Sequence, residues 1–98
     1  MSEALFFEFA SGVDADKYHA VNGNLGLDPV AGTGDWPAGL ISHTGGSLPG
    51  GGFMVFEVWE SKQLHEAWMS RLGPALGQAG VPDPTRLEWL DVAGDIRP

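Results

Sequence analysis

Apolar residues change their spacing within residues 53–80, and this change constrains the fold more than any other feature of the chain. Residues 53–59 are apolar except for Glu57, and most of them are aromatic or β-branched, which is typical of a strand. Ser61 then stands where a helix N-cap is expected. Beyond it, large apolar residues recur at every fourth position: Leu64, Trp68, Leu72 and Leu76. Gly80 suits the end of a helix, so the stretch is predicted to be a strand that leads directly into a helix.

The predicted helix contains one unfavourable pair, Gly73-Pro74. Proline lacks a donor amide and disfavours helical geometry in the residue before it. It is well tolerated in the first turn of a helix. We therefore expect the helix to break at Gly73 and a second short helical piece to start at Pro74.

The remainder of the chain supplies three further strands and one further helix. The expected elements are a strand over Ala4–Ala10, a helix from the N-cap Asp14 to about Leu25, and strands over Gly39–Thr44 and Arg86–Val92. The other segments are an irregular connection, a flexible hairpin tip and a tail: Leu27–Ala38, Gly45–Gly52 and Ala93–Pro98. The 98 residues make one domain, residues 1–98, with the element order β-α-β-β-α-β.

The predicted strands are apolar on both faces. In the strand over residues 53–59, large apolar residues lie on either side: Phe53, Val55 and Trp59 on one, Met54, Phe56 and Val58 on the other. A four-stranded antiparallel sheet with two helices on one face would ordinarily leave its other face polar. The simplest cover for a second apolar face is the same face of another copy, so we expect an α+β sandwich that forms a symmetric homodimer. Trp89 in the last strand is a candidate for the dimer face.

Several short motifs give the chain a family resemblance: Trp36–Leu40, Ser42–Thr44, Val58–Ser61, Arg71–Leu76 and Ala79–Pro82. Together they resemble the dimeric α/β-barrel superfamily, and within it an uncharacterised branch similar to small antibiotic-biosynthesis monooxygenases. The resemblance implies a ferredoxin-like fold, in which two helices cover one face of a four-stranded antiparallel sheet, and a homodimer that closes an α/β barrel. The activities of the superfamily range over cofactor-free oxygenation, haem degradation and polyketide cyclisation to no known activity.

The composition argues against several kinds of partner. The formal net charge is −8, and the five lysine and arginine residues form no cluster, so binding to nucleic acid is not expected. No apolar run approaches the roughly 18 residues of a membrane helix, and the first residues lack the basic start of a signal peptide. Without cysteine there is no disulfide, thiol nucleophile or thiolate metal site. These features predict a cytoplasmic protein that binds neither nucleic acid nor membrane.

Imidazole titrates nearest to neutral pH, so the three histidines are the first candidates for acid–base chemistry. His43 lies in a predicted strand, and its side chain points into one of the two buried faces. A slip of one residue in the hairpin register would exchange those faces, so both remain open. Glu57 is an acid in a buried strand, and a His43–Glu57 pair would be either a catalytic dyad or a structural bond. His65 lies at the edge of the core-facing side of its helix, and His19 lies away from the core.

Neither a metal nor a cofactor is expected. The histidines and glutamates suffice in number as ligands, but none stands in the H-x-x-x-H or H-E-x-x-H spacing that places two ligands on one helical turn. The glycines of residues 45–52 join two strands and do not precede a helix N-terminus, so they form no phosphate loop.

Four tryptophans in so small a domain suggest a ligand pocket. Trp36, in the irregular connection, is either a pocket wall or a plug of the core. Proteins of the family that the chain resembles hold apolar, often aromatic ligands between the sheet and the helices. On that resemblance, the residues expected nearest to this space are Tyr18, Asn22, Trp36, His43, His65, Trp68 and Met69.

Two hypotheses of function follow. In the first, the protein is a cofactor-independent enzyme, monooxygenase-like or polyketide-cyclase-like, that acts on an apolar or aromatic small molecule. His43 would be the base, Trp36 and Trp68 would hold the rings, and Asn22 or Tyr18 would polarise an oxygen. In the second, the protein is a non-catalytic ligand-binding or structural dimer. An apolar cavity that contains His43 would favour the first, and tryptophans that fill this space would favour the second.

Overall fold

A computed structural model describes residues 2–95 of the chain. Both ends of the predicted domain, including the end of the predicted tail, lie outside the described residues. The elements follow in this order: β1 (Glu3–Phe9), α1 (Ala15–Asn24), β2 (Leu27–Asp28), β3 (Thr33–Gly34), β4 (Leu40–Ser47), β5 (Phe53–Trp59), α2 (Lys62–Gln78) and β6 (Arg86–Asp91).

Four of the strands form one antiparallel sheet in the order β4-β5-β1-β6. β1 pairs with both β5 and β6, and β4 pairs with β5 through a hairpin. The apolar residues of α1 and α2 pack on one face of this sheet and form the core with it. The predicted fold is therefore confirmed as a ferredoxin-like α+β arrangement.

Both helices begin at the predicted caps. The Asp14 carboxylate accepts a hydrogen bond from the Lys17 amide at 3.0 Å, and the Ser61 hydroxyl accepts one from the Leu64 amide at 3.4 Å. Each cap satisfies an amide that has no partner inside the helix. Within residues 2–95, neither helix combines the length and the apolarity that crossing a membrane requires.

α2 continues through Gly73-Pro74, so the predicted break is wrong. Part of the steric conflict behind that prediction is the contact between proline Cδ and the Cβ of the preceding residue, and glycine has no Cβ. Pro74 and Ser70 are both exposed, so water can reach the Ser70 carbonyl, which lacks its usual amide partner at Pro74. α2 is therefore a single helix from Lys62 to Gln78.

β4 is longer than predicted, because Gly45, Gly46 and Ser47 belong to the strand and not to the hairpin tip. They pair with the first three residues of β5. Packing also requires a glycine at position 45, since a Cβ on Gly45 would lie 2.7 Å from Cζ of Tyr18. The glycine therefore allows the Tyr18 ring of α1 to lie directly on β4.

β4 contains a β-bulge between Leu40 and Ser42. Leu40 pairs with Trp59 and Ser42 pairs with Val58, so two steps along β4 correspond to one step along β5. Successive side chains of a strand point to opposite faces, and an extra residue changes this alternation. The bulge consequently places both Leu40 and His43, three positions apart, on the helix side of the sheet.

The connection after α1 is less irregular than predicted, because Leu27–Asp28 and Thr33–Gly34 form a two-stranded ribbon. The Asp28 carboxylate accepts hydrogen bonds from the amides of Val30 and Ala31, both at 3.0 Å. A side-chain acceptor of this kind favours a tight turn without requiring apolar alternation, so hydrophobic spacing alone could not indicate the ribbon.

The two faces of the sheet differ in what covers them. The helix side holds the large buried residues of the core, with Trp89 partly buried beside them: Leu5, Phe7, Phe9, Phe53, Val55 and Trp59. Trp89 is therefore not on the dimer face for which it was a candidate. On the opposite face, which we call the open face, Phe6 and Phe56 are half-buried and Leu90 is 46% exposed.

Candidate functional site

An apolar cavity of about 330 Å³ lies between the sheet and the two helices. β1, β4 and β5 form one side of it, α1 and α2 form the other, and the connections after the helices contribute to its rim. Most of the lining is apolar. The ionisable or amide side chains that line it are Tyr18, Asn22, His43, Glu57 and Asp83.

A chain of hydrogen bonds links three of these polar side chains. The Tyr18 hydroxyl lies 2.6 Å from Nε2 of His43, and Nδ1 of His43 lies 2.7 Å from Oε2 of Glu57. Trp59 Nε1 donates to the other oxygen of Glu57 at 3.2 Å. An ionised carboxylate only accepts, so we assign the imidazole proton to Nδ1, and Nε2 then accepts from the Tyr18 hydroxyl.

The strand register creates this arrangement. His43 of β4 and Glu57 of β5 are direct partners, and Leu5 of β1 lies opposite Glu57 on its other side. These side chains lie on the helix side of the sheet, which decides between the two faces that the sequence left open for His43. Tyr18 completes the chain from α1, with its ring stacked on the His43 ring at a centroid distance of 5.7 Å.

The Tyr18 phenol is partly buried and ionises less readily than usual. Burial raises the pKa of Tyr18, the Asn22 amide opposes this by favouring the phenolate, and the charge of Glu57 raises the pKa further. Asn22 is 5% exposed, and its Nδ2 makes no hydrogen bond of acceptable length and angle. The amide is thus near enough to influence the pKa of Tyr18, while its Nδ2 is left without a hydrogen-bond partner.

Six of the seven predicted residues line the cavity: Tyr18, Asn22, Trp36, His43, Trp68 and Met69. Trp36 contacts the His43 ring at a centroid distance of 5.2 Å, and its indole nitrogen donates to the Thr33 carbonyl at 3.0 Å. Trp68 is buried and Met69 is partly exposed. The two tryptophans are therefore walls of the cavity and do not fill it.

His65 is the predicted residue that does not line the cavity. It is buried on α2 against Phe7, Trp59 and Trp89, at ring centroid distances of 6.0, 5.2 and 5.2 Å. Its Nε2 has no hydrogen-bond partner. Burial lowers the pKa of His65 below its ordinary value of 6.5, against the opposing influence of two nearby carboxylates.

Sequence reasoning missed two parts of the cavity wall. One is the rim formed by residues 81–84, an irregular connection between α2 and β6 that has no periodic signal. The other is the pair Gly73 and Gly77 on α2. Glycine inside a helix is unfavourable unless conformation or space requires it, and this could have drawn attention to the pair.

A second, more open groove of about 440 Å³ shares Tyr18, His43 and Phe53 with the cavity. His19 lines this groove and contacts the Tyr18 ring edge-on at 5.4 Å. The Tyr18–His43 pair therefore borders both the cavity and this outer groove. In the part of the chain that the structure describes, no three histidine, aspartate or glutamate side chains are grouped so that they could hold a metal ion.

Comparison with known proteins identifies the fold. No protein-family model and no curated protein matches the chain. Among solved structures, a proposed antibiotic biosynthesis monooxygenase from Chloroflexus aurantiacus J-10-fl is 13% identical, with a TM-score of 0.68 over 99% of this chain and 98% of that chain. A similar proposed monooxygenase from Deinococcus radiodurans is 14% identical, with a TM-score of 0.58 over 99% of this chain and 97% of that chain.

A third solved structure, the NE2512 protein of unknown function from Nitrosomonas europaea, is 15% identical, with a TM-score of 0.69 over 99% of this chain and 94% of that chain. The structural neighbours thus include antibiotic biosynthesis monooxygenase-like proteins of ferredoxin-like fold, in agreement with the resemblance in the sequence. At these identities the likeness establishes the fold alone.

Proposed function

We propose that the protein binds an apolar, aromatic small molecule in the cavity between sheet and helices and removes a proton from it. The observation that carries this proposal is the Tyr18–His43–Glu57 chain, because it brings a base to the wall of an otherwise apolar cavity. At about 330 Å³ the cavity is near the lower end of the range of small-molecule sites, about 300–1,000 Å³, which favours a compact ligand.

Tyr18 is the group that receives the proton in this proposal. Its hydroxyl passes a proton to His43 Nε2, and the phenolate oxygen takes a proton from the ligand, which leaves an imidazolium beside the Glu57 carboxylate. Trp59 supports this step because its indole N–H fixes the second carboxylate oxygen. His43 also borders the outer groove, so the proton has a short route to water.

The reaction we favour is cofactor-independent oxygenation of an anthrone-type compound. Two of the structural neighbours are proposed antibiotic biosynthesis monooxygenases, which supports oxygenation over polyketide cyclisation. Loss of a proton converts such a substrate into an electron-rich anion that can react with dioxygen. A CH₂ group then becomes a carbonyl group, dioxygen supplies its oxygen atom and is the oxidant, and the second oxygen atom leaves as water.

The proposed assembly is a homodimer in which the open faces of two sheets meet. This face is partly apolar. Its apolar residues are Ala4, Phe6, Met54, Phe56, Val58 and Leu90, and its polar residues are Glu8, Ser42, Thr44, Arg86 and Glu88. An apolar cluster bordered by charges of both signs can be self-complementary around a two-fold axis. Sedimentation velocity at micromolar concentration checks the assembly, and a monomer would contradict it.

Anthrone tests the proposed reaction directly. The wild-type protein should accelerate dioxygen uptake and anthraquinone formation over the reaction in buffer, without added metal or cofactor. Both His43→Ala and Tyr18→Phe should lower turnover by about 10²–10⁴-fold, because each removes a member of the proton-transfer unit.

The exposed histidine of the outer groove provides the matched control. His19→Ala removes an imidazole from the same region and should leave turnover unchanged, because His19 takes no part in the hydrogen-bonded chain. Full activity of Tyr18→Phe would contradict the route through the phenol. Tight binding of anthrone without turnover would favour a non-catalytic binding protein.

A further inference from the structure

Three glycines lie inside helices without a conformational reason: Gly23 in α1, and Gly73 and Gly77 in α2. None of the three has a positive φ angle. A Cβ at any of these positions would meet no heavy atom within 4 Å outside its own helix turn. Glycine is among the least favourable residues in a helix interior, so a residue with a side chain would serve the fold better. Gly73 and Gly77 line the cavity, and Gly23 does not.

An unpaired donor reaches the same cavity from the other helix. Asn22 of α1 is 5% exposed, lines the cavity, and has no hydrogen-bond partner for Nδ2. Buried polar groups almost always have partners, so an exception of this kind points to a missing group that accepts a hydrogen bond. Tyr18 lies near Asn22, but its oxygen makes no hydrogen bond with Nδ2, and His43 Nε2 is already bonded to Tyr18.

The two helices that carry these residues are tied together. Lys17 of α1 donates to the carbonyl of Ala79, beyond the end of α2, and Arg71 of α2 donates to the carbonyl of Leu25, at the end of α1. Both distances are 3.4 Å. These contacts connect the two helices on either side of the cavity.

We propose that the helix side of the cavity is a subsite for a flat aromatic ring that carries a carbonyl or phenolate oxygen. The ring lies against the bare backbone of α2 at Gly73 and Gly77, and its oxygen accepts a hydrogen bond from Asn22 Nδ2. This subsite rests on the proposed function for the view that the cavity holds a ligand. It adds which residues hold the ring and the oxygen of that ligand and assigns its specificity to the two helices.

Fluorene and 9-fluorenone test the polar half of the subsite, because they share one flat skeleton and differ in the carbonyl oxygen. Titration followed by tryptophan fluorescence should give wild-type protein about three- to tenfold higher affinity for fluorenone. In Asn22→Leu, which has no donor, this preference should disappear. A preference that persists in Asn22→Leu, or that is absent from the wild type, would overturn the assignment of Asn22.

Gly73→Leu and Gly77→Leu test the apolar half. Each places a side chain in the cavity and should weaken the binding of both probes by at least about tenfold, while helix propensity keeps the melting temperature equal or higher. Gly23→Leu, the matched control outside the cavity, should bind both probes as the wild type does. Gly73→Ala and Gly77→Ala serve in the same way if a leucine variant fails to fold. Unchanged binding in every α2 variant would overturn the subsite.

These readouts are independent of the proposed catalysis. His43→Ala should lose turnover and keep the preference for fluorenone, since the donor and the glycines are intact. If turnover depends on His43 while the preference is absent, the subsite is wrong and the proposed function stands. If the preference for fluorenone depends on Asn22 while no turnover occurs, the subsite stands and the proposed catalysis is wrong. If neither probe binds to the wild type, the subsite is overturned whatever the anthrone assay gives.

Discussion

His43 and His65 are both largely enclosed on the helix side of the sheet, yet their surroundings are opposite in character. Both ring nitrogens of His43 have partners, a phenol at 2.6 Å and a carboxylate at 2.7 Å. The ring of His65 lies among three aromatic side chains, and its Nε2 has no hydrogen-bond partner. A carboxylate lies beside the ring of His43, whereas burial lowers the pKa of His65 and so disfavours a positive charge there. Burial alone therefore does not distinguish the two histidines, and the partners of their ring nitrogens do.

One side chain connects the polar region around His43 and Glu57 with the aromatic region around His65. Trp59 is fully buried, donates its indole N–H to Glu57, and packs edge-on against His65. It therefore contributes a hydrogen bond to the polar region and an aromatic ring to the aromatic region. Substitutions at these positions test whether the two regions differ in function and in stability.

The largest expected effect comes from Glu57→Gln. Glutamine can donate its amide to Nδ1 of His43 and so favour the tautomer that no longer accepts from Tyr18. Anthrone turnover should fall by about 10²–10⁴-fold. His65→Phe keeps a ring in the aromatic region and should retain turnover to within about twofold. Similar losses in the two variants, measured by dioxygen uptake, would break the contrast.

An intermediate effect is expected for Trp59→Phe. The new ring still packs against His65, but one oxygen of the buried Glu57 loses its donor. Leaving a buried acceptor unsatisfied costs about 1–3 kcal/mol, which urea denaturation should detect as a lower free energy of unfolding. Trp36→Phe is the control, because the carbonyl that accepts from Trp36 is exposed to water. Equal losses in the two variants would argue against a structural role for the Trp59–Glu57 bond.

The smallest expected effect is a change in the pH dependence of stability. Burial lowers the pKa of His65 below 6.5, so the unfolded protein binds this proton more readily than the folded protein does. The stability that neutral His65 contributes is fully present above pH 6.5 and is lost as the pH falls through the lower folded value.

His65→Phe removes this contribution to the pH dependence. Thermal melts at pH 7.5 and pH 5.0 should therefore give a smaller loss of stability for His65→Phe than for the wild type. Glu57 and Glu66 act on His65 and are present in both proteins, so the difference between the two slopes reports the histidine. Equal slopes would show that the aromatic region accepts the protonated ring.

The fold was predictable because its signals are local. Strand and helix spacing, the caps Asp14 and Ser61, and the two apolar faces of β5 all reside in short stretches of sequence. The predicted break at Gly73-Pro74 was wrong because the steric rule for the residue before proline assumes a Cβ, and glycine has none. The ribbon after α1 was missed because side-chain hydrogen bonds to its turn leave no apolar pattern.

The residues of the candidate site were easier to predict than the hydrogen bonds between them. The possible His43–Glu57 pair followed from two polar residues in buried strands, and six residues assigned to the pocket line it. The Tyr18–His43 bond could not be predicted, because it depends on the position of α1 over Gly45. The separation of His65 from the cavity likewise depends on how α2 rotates over the sheet, which sequence spacing leaves uncertain by a large fraction of a turn.

The bulge in β4 decides which change of length this strand can accept. An odd number of steps separates Leu40 from His43, yet both face the helices, because Ile41 is the extra residue that corrects the parity. Deletion of Ile41 would leave the two residues two positions apart, and simple alternation would then keep both on the helix side. At this edge of the sheet the strand can therefore lose its bulge residue and keep both side chains in place. The same deletion in a strand without a bulge would turn the residues on one side of it to the other face.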